Sequence, residues 1–175
     1  MDDRNKYFRL MQDCALKHLF HGDEESEDTI LHELARIGAF KEILRLAETS
    51  PGGFKDIVRT QNAQGELCTH LAAKVHSGRH AENLMKVLEE IGVDLNWQDG
   101  CAGNTVLHTT VCFQNYKLAA WLCRQPNVNV NARNYAGLTA YQMACKNGDK
   151  RLQEIFRKAG ADCEKPDTSS EESDG

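Results

Sequence analysis

A short motif recurs four times along this chain at a nearly constant spacing. Its fullest copy is Gly103-Asn104-Thr105-Val106-Leu107-His108, and the other copies occupy residues 28–32, 65–70 and 137–142. Successive copies end at His32, His70, His108 and Gln142, which are 38, 38 and 34 residues apart. Such a period is the signature of a repeat protein, in which each unit packs only against its neighbours.

Each copy carries residues that favour the start of a helix. A threonine before an apolar helix start accepts a backbone N–H as an N-cap, which contributes about 1 kcal/mol. A glycine two residues earlier permits the positive φ of a tight turn. The threonines are Thr29, Thr105 and Thr139, and the glycines are Gly65, Gly103 and Gly137. We therefore predict a helix start at each motif, with structural roles for His32, His70 and His108.

Two short helices are predicted after each motif, separated by a glycine or a polar break. The second helix carries an apolar stripe with the spacing i, i+3, i+4, i+7. The stripes are Leu84, Val87, Leu88 and Ile91 in one repeat and Leu152, Ile155, Phe156 and Ala159 in another. Gly92 and Gly160 follow where a left-handed C-cap would end the helix. Residues in excess of the usual repeat length are expected in connections such as 49–53, because added loop length costs little.

The motif resembles the ankyrin pattern G-x-T-P-L-H, although every copy lacks the proline. The second copy also has Leu67 and Thr69 in place of the usual Thr and Leu, so we expect this repeat to be the least stable. The resemblance implies an all-α ankyrin-repeat solenoid of about four helix-turn-helix repeats with β-turn fingers. We place a capping helix at 1–22, the repeat domain at 23–162 and a disordered acidic tail at 163–175. The repeats lie near residues 28–61, 62–98, 99–133 and 134–162.

Composition narrows the functional classes. The seven cysteines are odd in number and form no Cys-x-x-Cys pair, which argues against a disulfide framework and a zinc site. The chain has no apolar run of bilayer length, no secretory signal pattern and no catalytic or phosphate-binding motif. We therefore expect no enzyme, cofactor, metal, membrane or small-molecule substrate. The net charge of −5 is concentrated in residues 23–28 and 164–175, which favours a protein partner with a basic surface over nucleic acid.

Candidate partner-binding residues lie in two polar runs, 93–99 and 127–134, that are predicted to form fingers. Aromatic and arginine side chains at such exposed positions are typical binding hot spots. The candidates are Trp97, Asp99, Arg133, Asn134 and Tyr135. The alternative is that the aromatic rings pack on the adjoining helix.

A second resemblance concerns residues 128–142, which look like the later repeats of inhibitor-of-NF-κB proteins, where Tyr-Gln replaces Leu-His. The chain length and repeat spacing are most similar to the polydnavirus inhibitor-of-NF-κB-like proteins, or vankyrins. The resemblance implies a viral protein that binds host Rel/NF-κB dimers in the cytoplasm or nucleus, blocks their DNA binding and suppresses host immunity. It also implies persistence under the host signal, because no D-S-G-x-x-S segment is found. Glu171 and Glu172 would then serve as a shortened acidic tail facing basic DNA-binding loops.

Three other interpretations stay open. The chain could be a generic ankyrin-repeat adaptor for an unrelated protein. It could be an enzyme that uses Cys112, one helical turn from His108, although a buried structural thiol is the commoner role for cysteine. His18 and His21 could share a helix face and bind a metal, although no third ligand is apparent.

Overall fold

The computed structural model describes residues 27–49 and 57–164. These residues form eight α-helices in four pairs, without any β-strand in the described ranges. The helices are α1 (Ile30–Ile37), α2 (Phe40–Thr49), α3 (Cys68–Val75), α4 (Gly78–Glu90), α5 (Val106–Cys112), α6 (Tyr116–Leu122), α7 (Ala140–Lys146) and α8 (Lys150–Lys158). The predicted order of two short helices after each motif is confirmed.

The helices stack in two layers. The inner helices α1, α3, α5 and α7 contact one another in chain order, and the outer helices α2, α4, α6 and α8 do the same. Each inner helix also packs against the outer helix that follows it. No helix of the described residues has the length and apolar character needed to cross a bilayer.

Two of the three predicted threonine caps form a hydrogen bond to the backbone, whereas Thr105 holds the N-cap position of α5 with its hydroxyl 2.9 Å from His108 Nδ1. The Thr29 hydroxyl accepts the N–H of His32, and Thr139 accepts the N–H of Gln142. In the first repeat Glu27 adopts φ +53° at the position that glycine holds in the other repeats. Nothing in the sequence signalled this conformation, because glutamate has no preference for the left-handed region.

The core lies between the two layers. Leu84 and Leu88 of α4 and Leu152 and Phe156 of α8 are fully buried, which confirms the predicted stripes of the outer helices. After α4 the chain ends the helix at Gly92, with φ +95°. The Gly92 N–H donates to the Glu89 carbonyl (2.9 Å) and the Val93 N–H to the Leu88 carbonyl (3.0 Å), the Schellman pattern expected at a glycine C-cap.

The motif side chains connect successive repeats. The Nε2 atoms of three buried histidines lie 2.9–3.0 Å from backbone carbonyls of the next repeat. The pairs are His32 with Glu66, His70 with Asn104, and His108 with Leu138. Gln142 continues the series, because its Nε2 donates to the Glu164 carbonyl at 3.2 Å. The predicted structural role of the histidines is confirmed.

The geometry also fixes the proton on two of these rings. The backbone N–H of Thr29 donates to Nδ1 of His32 at 3.1 Å, and that of Thr105 donates to Nδ1 of His108 at 3.2 Å. Nδ1 must therefore be unprotonated, and Nε2 carries the hydrogen that the carbonyl accepts. A second proton would have to bind Nδ1, where it would point at the backbone N–H that already donates to this atom. Each ring is held as the neutral Nε2–H form.

The second repeat lacks part of this arrangement. Leu67 occupies the N-cap position of α3 and offers no side-chain acceptor. It also has no hydroxyl to donate to the imidazole, and His70 Nδ1 is buried without a hydrogen-bond partner. Thr69 Oγ1 is likewise buried and unpaired. Buried polar atoms left unpaired cost about 1–3 kcal/mol each. The low stability predicted for this repeat therefore has a specific physical source, although its value stays a prediction.

The second repeat is longer than the usual ankyrin repeat, and its additional residues do not lie where they were expected. They were expected in connections, but most of them lengthen α4, which has 13 residues where α6 has 7. The apolar stripe of α4 continues through this added length, so the longer helix buries more apolar surface, which stabilises the repeat. Three predicted segments lie outside the described residues: the capping helix at 1–22, the tail after 164 and most of the connection at 49–53. Of that connection only Thr49 is described, and it ends α2.

The ladder of motif side chains yields a stability prediction. His108→Leu should lower the free energy of unfolding by about 2 kcal/mol, because it leaves the Leu138 carbonyl and the Thr105 N–H unpaired. His108→Gln should cost clearly less, since Gln142 makes the same two contacts in the fourth repeat. Urea unfolding followed by circular dichroism measures both. Equal losses for Leu and Gln would show that the hydrogen bonds contribute nothing.

A second prediction concerns pH. Burial lowers the pKa of His32, His70 and His108 from the ordinary value of 6.5. Between that value and the lower folded pKa the unfolded chain binds more protons, so stability falls as the pH falls. The urea midpoint should therefore drop between about pH 7.5 and pH 5.5. A His32→Gln/His108→Gln variant should show a shallower drop over the same range, and an unchanged slope would contradict the assignment.

Candidate protein-binding surface

Three turns project from the start of the inner helices, and we call residues 62–65, 99–103 and 134–137 the first, second and third finger. Each begins with a side-chain oxygen that accepts backbone N–H groups of its own turn. Asn62 accepts from Gln64 and Glu66, and Asn134 accepts from Ala136 and Leu138. These are Asx turns, which mimic a backbone turn. The fingers are therefore shaped locally.

Asp99 closes the second finger as Asn62 and Asn134 close the other two, by accepting backbone N–H groups of the turn. Its Oδ1 accepts from the N–H groups of Cys101, Ala102 and Gly103 at 2.7–3.1 Å, and the residue is only 7% exposed. The carboxylate is thus used inside the turn. Asp99 shapes the finger, and a direct contact with a partner at this residue stays a prediction.

Neighbouring fingers are joined by backbone hydrogen bonds. The Gly100 N–H donates to the Gln64 carbonyl at 3.0 Å, and the Tyr135 N–H donates to the Ala102 carbonyl at 2.9 Å. Gln98 adds a side-chain bridge, because its Nε2 lies 2.8 Å from the carbonyls of both Gly103 and Arg133. The fingers form one continuous row whose tips are held in register. We call this row the finger surface.

A second set of amide bridges braces the segments that lead into the fingers. The Asn96 side chain donates to the Asn127 carbonyl and accepts from the Asn129 N–H, both at 2.7 Å. One repeat further on, Asn131 accepts from the Asp162 N–H at 2.8 Å. Preformed binding segments lose less conformational entropy on association than mobile ones. The finger surface is accordingly prepared for binding.

The predicted site residues are brought together in part. Tyr135 is 66% exposed on the third finger, and Arg133 is exposed directly before that finger. Arg133 Nη1 donates to the Gly137 carbonyl at 2.7 Å, which holds the side chain along the finger. Asn134 is partly buried within the turn. Glu171 and Glu172 lie outside the described residues.

The two aromatic candidates differ. Trp97 is half-buried against the core, and its Nε1 lies 3.4 Å from the Gly65 carbonyl of the first finger. This is the packing role that the sequence left open as the alternative. Tyr135 lies over Gly103, since a Cβ placed on that glycine would be 2.3 Å from the ring. Tyr135 thus covers a neighbouring finger while most of its ring faces solvent.

Sequence reasoning missed Gln98, Asn62 and Asn96, whose amides hold the fingers together. Asn62 had a usable signal, because it stands three residues before Gly65 just as Asn134 stands three before Gly137. The partner of a long amide such as Gln98 depends on where the next finger lies, so the sequence offered no signal for it.

The arrangement does not activate Cys112. Partial burial raises the pKa of its thiol, whereas a nucleophilic cysteine needs a lowered one. Both ring nitrogens of His108 are already engaged, by Thr105 and by the Leu138 carbonyl. Within the described ranges no three His, Cys, Asp or Glu side chains are grouped to hold a metal ion.

Comparison with known proteins agrees with this geometry. The family described as "Ankyrin repeats (3 copies)" matches residues 69–167. Three similar proteins come from Microplitis demolitor bracovirus. "I-Kappa-B like protein I1" is 36% identical over 81% of this chain and 83% of its own length. "I-Kappa-B like protein F2" is 35% identical with the same coverage, and "I-Kappa-B like protein G1" is 33% identical over 85% of this chain and 88% of its own.

The chain belongs to the I-kappa-B-like ankyrin-repeat family. Both resemblances drawn from the sequence are thereby confirmed, as is the all-α ankyrin solenoid. In this I-kappa-B-like protein the joined fingers form one extended face. Repeat stacks of this kind use such a face to bind other proteins.

Two glycines provide a test of finger pairing in this I-kappa-B-like stack. Gly65 (φ +70°) and Gly137 (φ +72°) have the same backbone conformation, so alanine at either site carries a similar strain of about 1 kcal/mol. A Cβ at Gly65 would also lie 2.4 Å from the Gly100 backbone nitrogen, whereas one at Gly137 meets nothing within 4 Å. Gly65→Ala should therefore lower the urea midpoint clearly more than Gly137→Ala. Equal shifts would mean that adjacent fingers do not support each other.

Proposed function

We propose that this protein binds dimers of Rel/NF-κB transcription factors, blocks their DNA binding and so suppresses host immunity. The observation that carries the proposal is the similarity, over four fifths of the chain, to viral proteins named as I-kappa-B-like. The unbroken finger surface supports it, because a rigid row of fingers suits a large protein better than a small molecule. Inhibition would arise from occupancy of the dimer, without any chemical step by this chain.

The exposed residues at the third finger, Tyr135 and the adjoining Arg133, are the first contacts to test. Tyr135 presents an aromatic ring to solvent, and Arg133 adds a cation whose side chain is already held along the finger. Pre-ordered aromatic and arginine side chains are the residues that most often dominate protein interfaces. An interface of about 2,000 Å² is available on a stack of this length. Asn134 and Asp99 contribute by shaping the turns that carry these contacts.

The direct experiment titrates the full chain into a Rel dimer bound to its κB-site DNA. We expect the DNA to be displaced, and the protein to co-elute with the dimer on size exclusion. Absence of a complex at micromolar protein would defeat the proposal. Recovery of an unrelated protein, with no Rel protein, from infected-cell extracts would instead favour the generic adaptor.

An Arg133→Ala/Tyr135→Ala variant should bind the Rel dimer about tenfold more weakly. Arg124→Ala, at an exposed residue just after α6, is the matched control and should leave the affinity unchanged. Thermal melts of each variant show whether the fold is intact. If the double variant is folded and displaces DNA as well as the unaltered chain, the third finger is not the contact site.

Glu171 and Glu172 test the acidic tail. Replacing both with glutamine should weaken binding and reduce its dependence on salt, because screened charge pairs are removed. An unchanged affinity and salt slope would rule the tail out as a contact.

The site of action is proposed to be the host-cell cytoplasm or nucleus, which fractionation of expressing cells resolves.

A further inference from the structure

In each repeat a turn joins the inner helix to the outer helix. These turns lie at the C-terminal ends of the inner helices, whereas the fingers lie at their N-terminal ends. We call residues 36–41, 74–79, 112–117 and 146–151, which occupy equivalent positions in the four repeats, the turn edge. These 24 residues include eight lysines and arginines and a single acid, Asp149. The Asp149 carboxylate caps α8 by accepting the N–H groups of Arg151 and Leu152. The turn edge is therefore basic along the whole stack, in a protein whose net charge is −5.

The basic side chains recur at fixed positions. Each outer helix has a cation at the same place near its start, and the four are Lys41, Arg79, Lys117 and Arg151. All of them are exposed. Lys117 lies along the preceding repeat, since a Cβ at Gly78 would be 3.7 Å from its Cδ, and Arg151 lies 4.3 Å from the ring centre of Tyr116. Each of these two cations thus reaches the turn before it, which makes the charge continuous.

Most of this charge is not neutralised within the fold. Arg36 pairs with Asp28 and Glu33, and Lys74 pairs with Glu66. In residues 27–49 and 57–164, no carboxylate forms an ion pair with Lys41, Arg79 or Lys117. A row of uncompensated cations attracts a polyanionic partner.

An apolar row runs through the same edge. Ile37, Val75 and Phe113 stand at the ends of α1, α3 and α5, and they are 68%, 56% and 52% exposed. They are three of the four large apolar side chains that are exposed in the described part of the chain. In the fourth repeat the equivalent residue is Asn147, so the row ends there. Scattered apolar residues need no explanation, but a row repeated in register does.

We propose that the turn edge binds an acidic amphipathic helix of a partner protein. The apolar row would receive the apolar side chains of that helix, and the flanking cations would pair with its carboxylates. This proposal is independent of Rel binding, because it concerns the end of the stack away from the fingers.

The spacing of the row selects a helix. Neighbouring stacked helices lie about 8–10 Å apart, so successive apolar residues of the row are separated by about that distance. Residues i and i+7 of an α-helix are about 10.5 Å apart and lie within about 20° of the same face. An extended strand reaches this distance after three residues, which puts the two side chains on opposite faces. A helix with one apolar residue in seven can therefore contact all three repeats.

Other occupants match the edge less well. A second copy of the edge would bring cations against cations. Residues 5–20 of this chain carry Lys6, Arg9 and Lys17 against the single acid Asp13, so their charge is also wrong. Residues 165–175 are acidic but contain no large apolar side chain for the row. An acidic amphipathic helix satisfies both features.

The test uses the full chain and a labelled synthetic peptide of about 21 residues, with leucine every seventh position and glutamates beside it. Fluorescence anisotropy should show binding with a Kd below about 100 μM, weakening as the ionic strength rises from about 0.05 to 0.3 M. A peptide with lysine in place of every glutamate should not bind.

Variants locate the site. Arg79→Glu/Lys117→Glu should weaken peptide binding about tenfold, and Val75→Ser should weaken it about fivefold. Lys86→Glu, an exposed charge reversal elsewhere on α4, should leave the Kd within about twofold. Because these residues are exposed, circular dichroism melts should match the unaltered chain. If Val75→Ser unfolds the protein, the charge-reversal pair decides alone.

Three results would overturn the proposal. One is no binding of the acidic peptide up to about 1 mM. Another is binding that the turn-edge variants do not change, which would place the peptide elsewhere. The third is binding to vesicles rich in phosphatidylserine through Arg79 and Lys117 with no binding of the peptide, which would make the edge a membrane contact.

Discussion

The fold rests on a hydrogen bond that each repeat makes to the next one. The Nε2–H group of a motif histidine donates to a backbone carbonyl about one repeat away, as in His32 and His108. The Nδ1 atom of the same ring accepts a backbone N–H at the start of its own helix. One side chain therefore fixes both the beginning of a helix and its distance from the neighbouring repeat. Because the ring is buried and neutral, a second proton on Nδ1 would remove the acceptor of that N–H, while Nε2–H would still donate to the carbonyl. Gln142 shows that the chemistry needed is one acceptor and one donor at this spacing, which an amide also supplies.

The second repeat shows how far such a stack tolerates a departure. With Leu67 at the N-cap, His70 keeps its bond to Asn104 but loses the partner of Nδ1. The leucine is only 1% exposed, so apolar burial offsets part of the lost cap. Stability in a repeat protein is approximately a sum of unit and interface terms. A weak unit flanked by intact interfaces can therefore persist, and the longer α4 adds buried area in the same repeat.

Much of the fold could be predicted from sequence because its determinants are local. Caps at Thr29 and Thr139, and the apolar stripe of α8, depend on spacings within one repeat, and all of them are found. The candidate site could be predicted less well, because the surroundings of its residues are set by the neighbouring finger. Asp99 was visible as a finger residue, but its burial follows from the turn that it closes. The left-handed Glu27 and the bridge made by Gln98 had no local signal at all.

The two ends of the inner helices differ in the freedom of their side chains. At the finger end, amides and backbone groups are largely consumed by bonds between repeats, so that few side chains such as Tyr135 and Arg133 remain to face a partner. At the turn edge the repeats make few such bonds through side chains, apart from His76 to the Ala35 carbonyl and Asn115 to the Ala73 and His76 carbonyls. Lys41, Arg79 and the apolar row make none of these bonds and are exposed, so their composition is free to respond to other constraints. A regular row of cations and apolar residues at such positions is therefore better explained by a binding requirement than by folding.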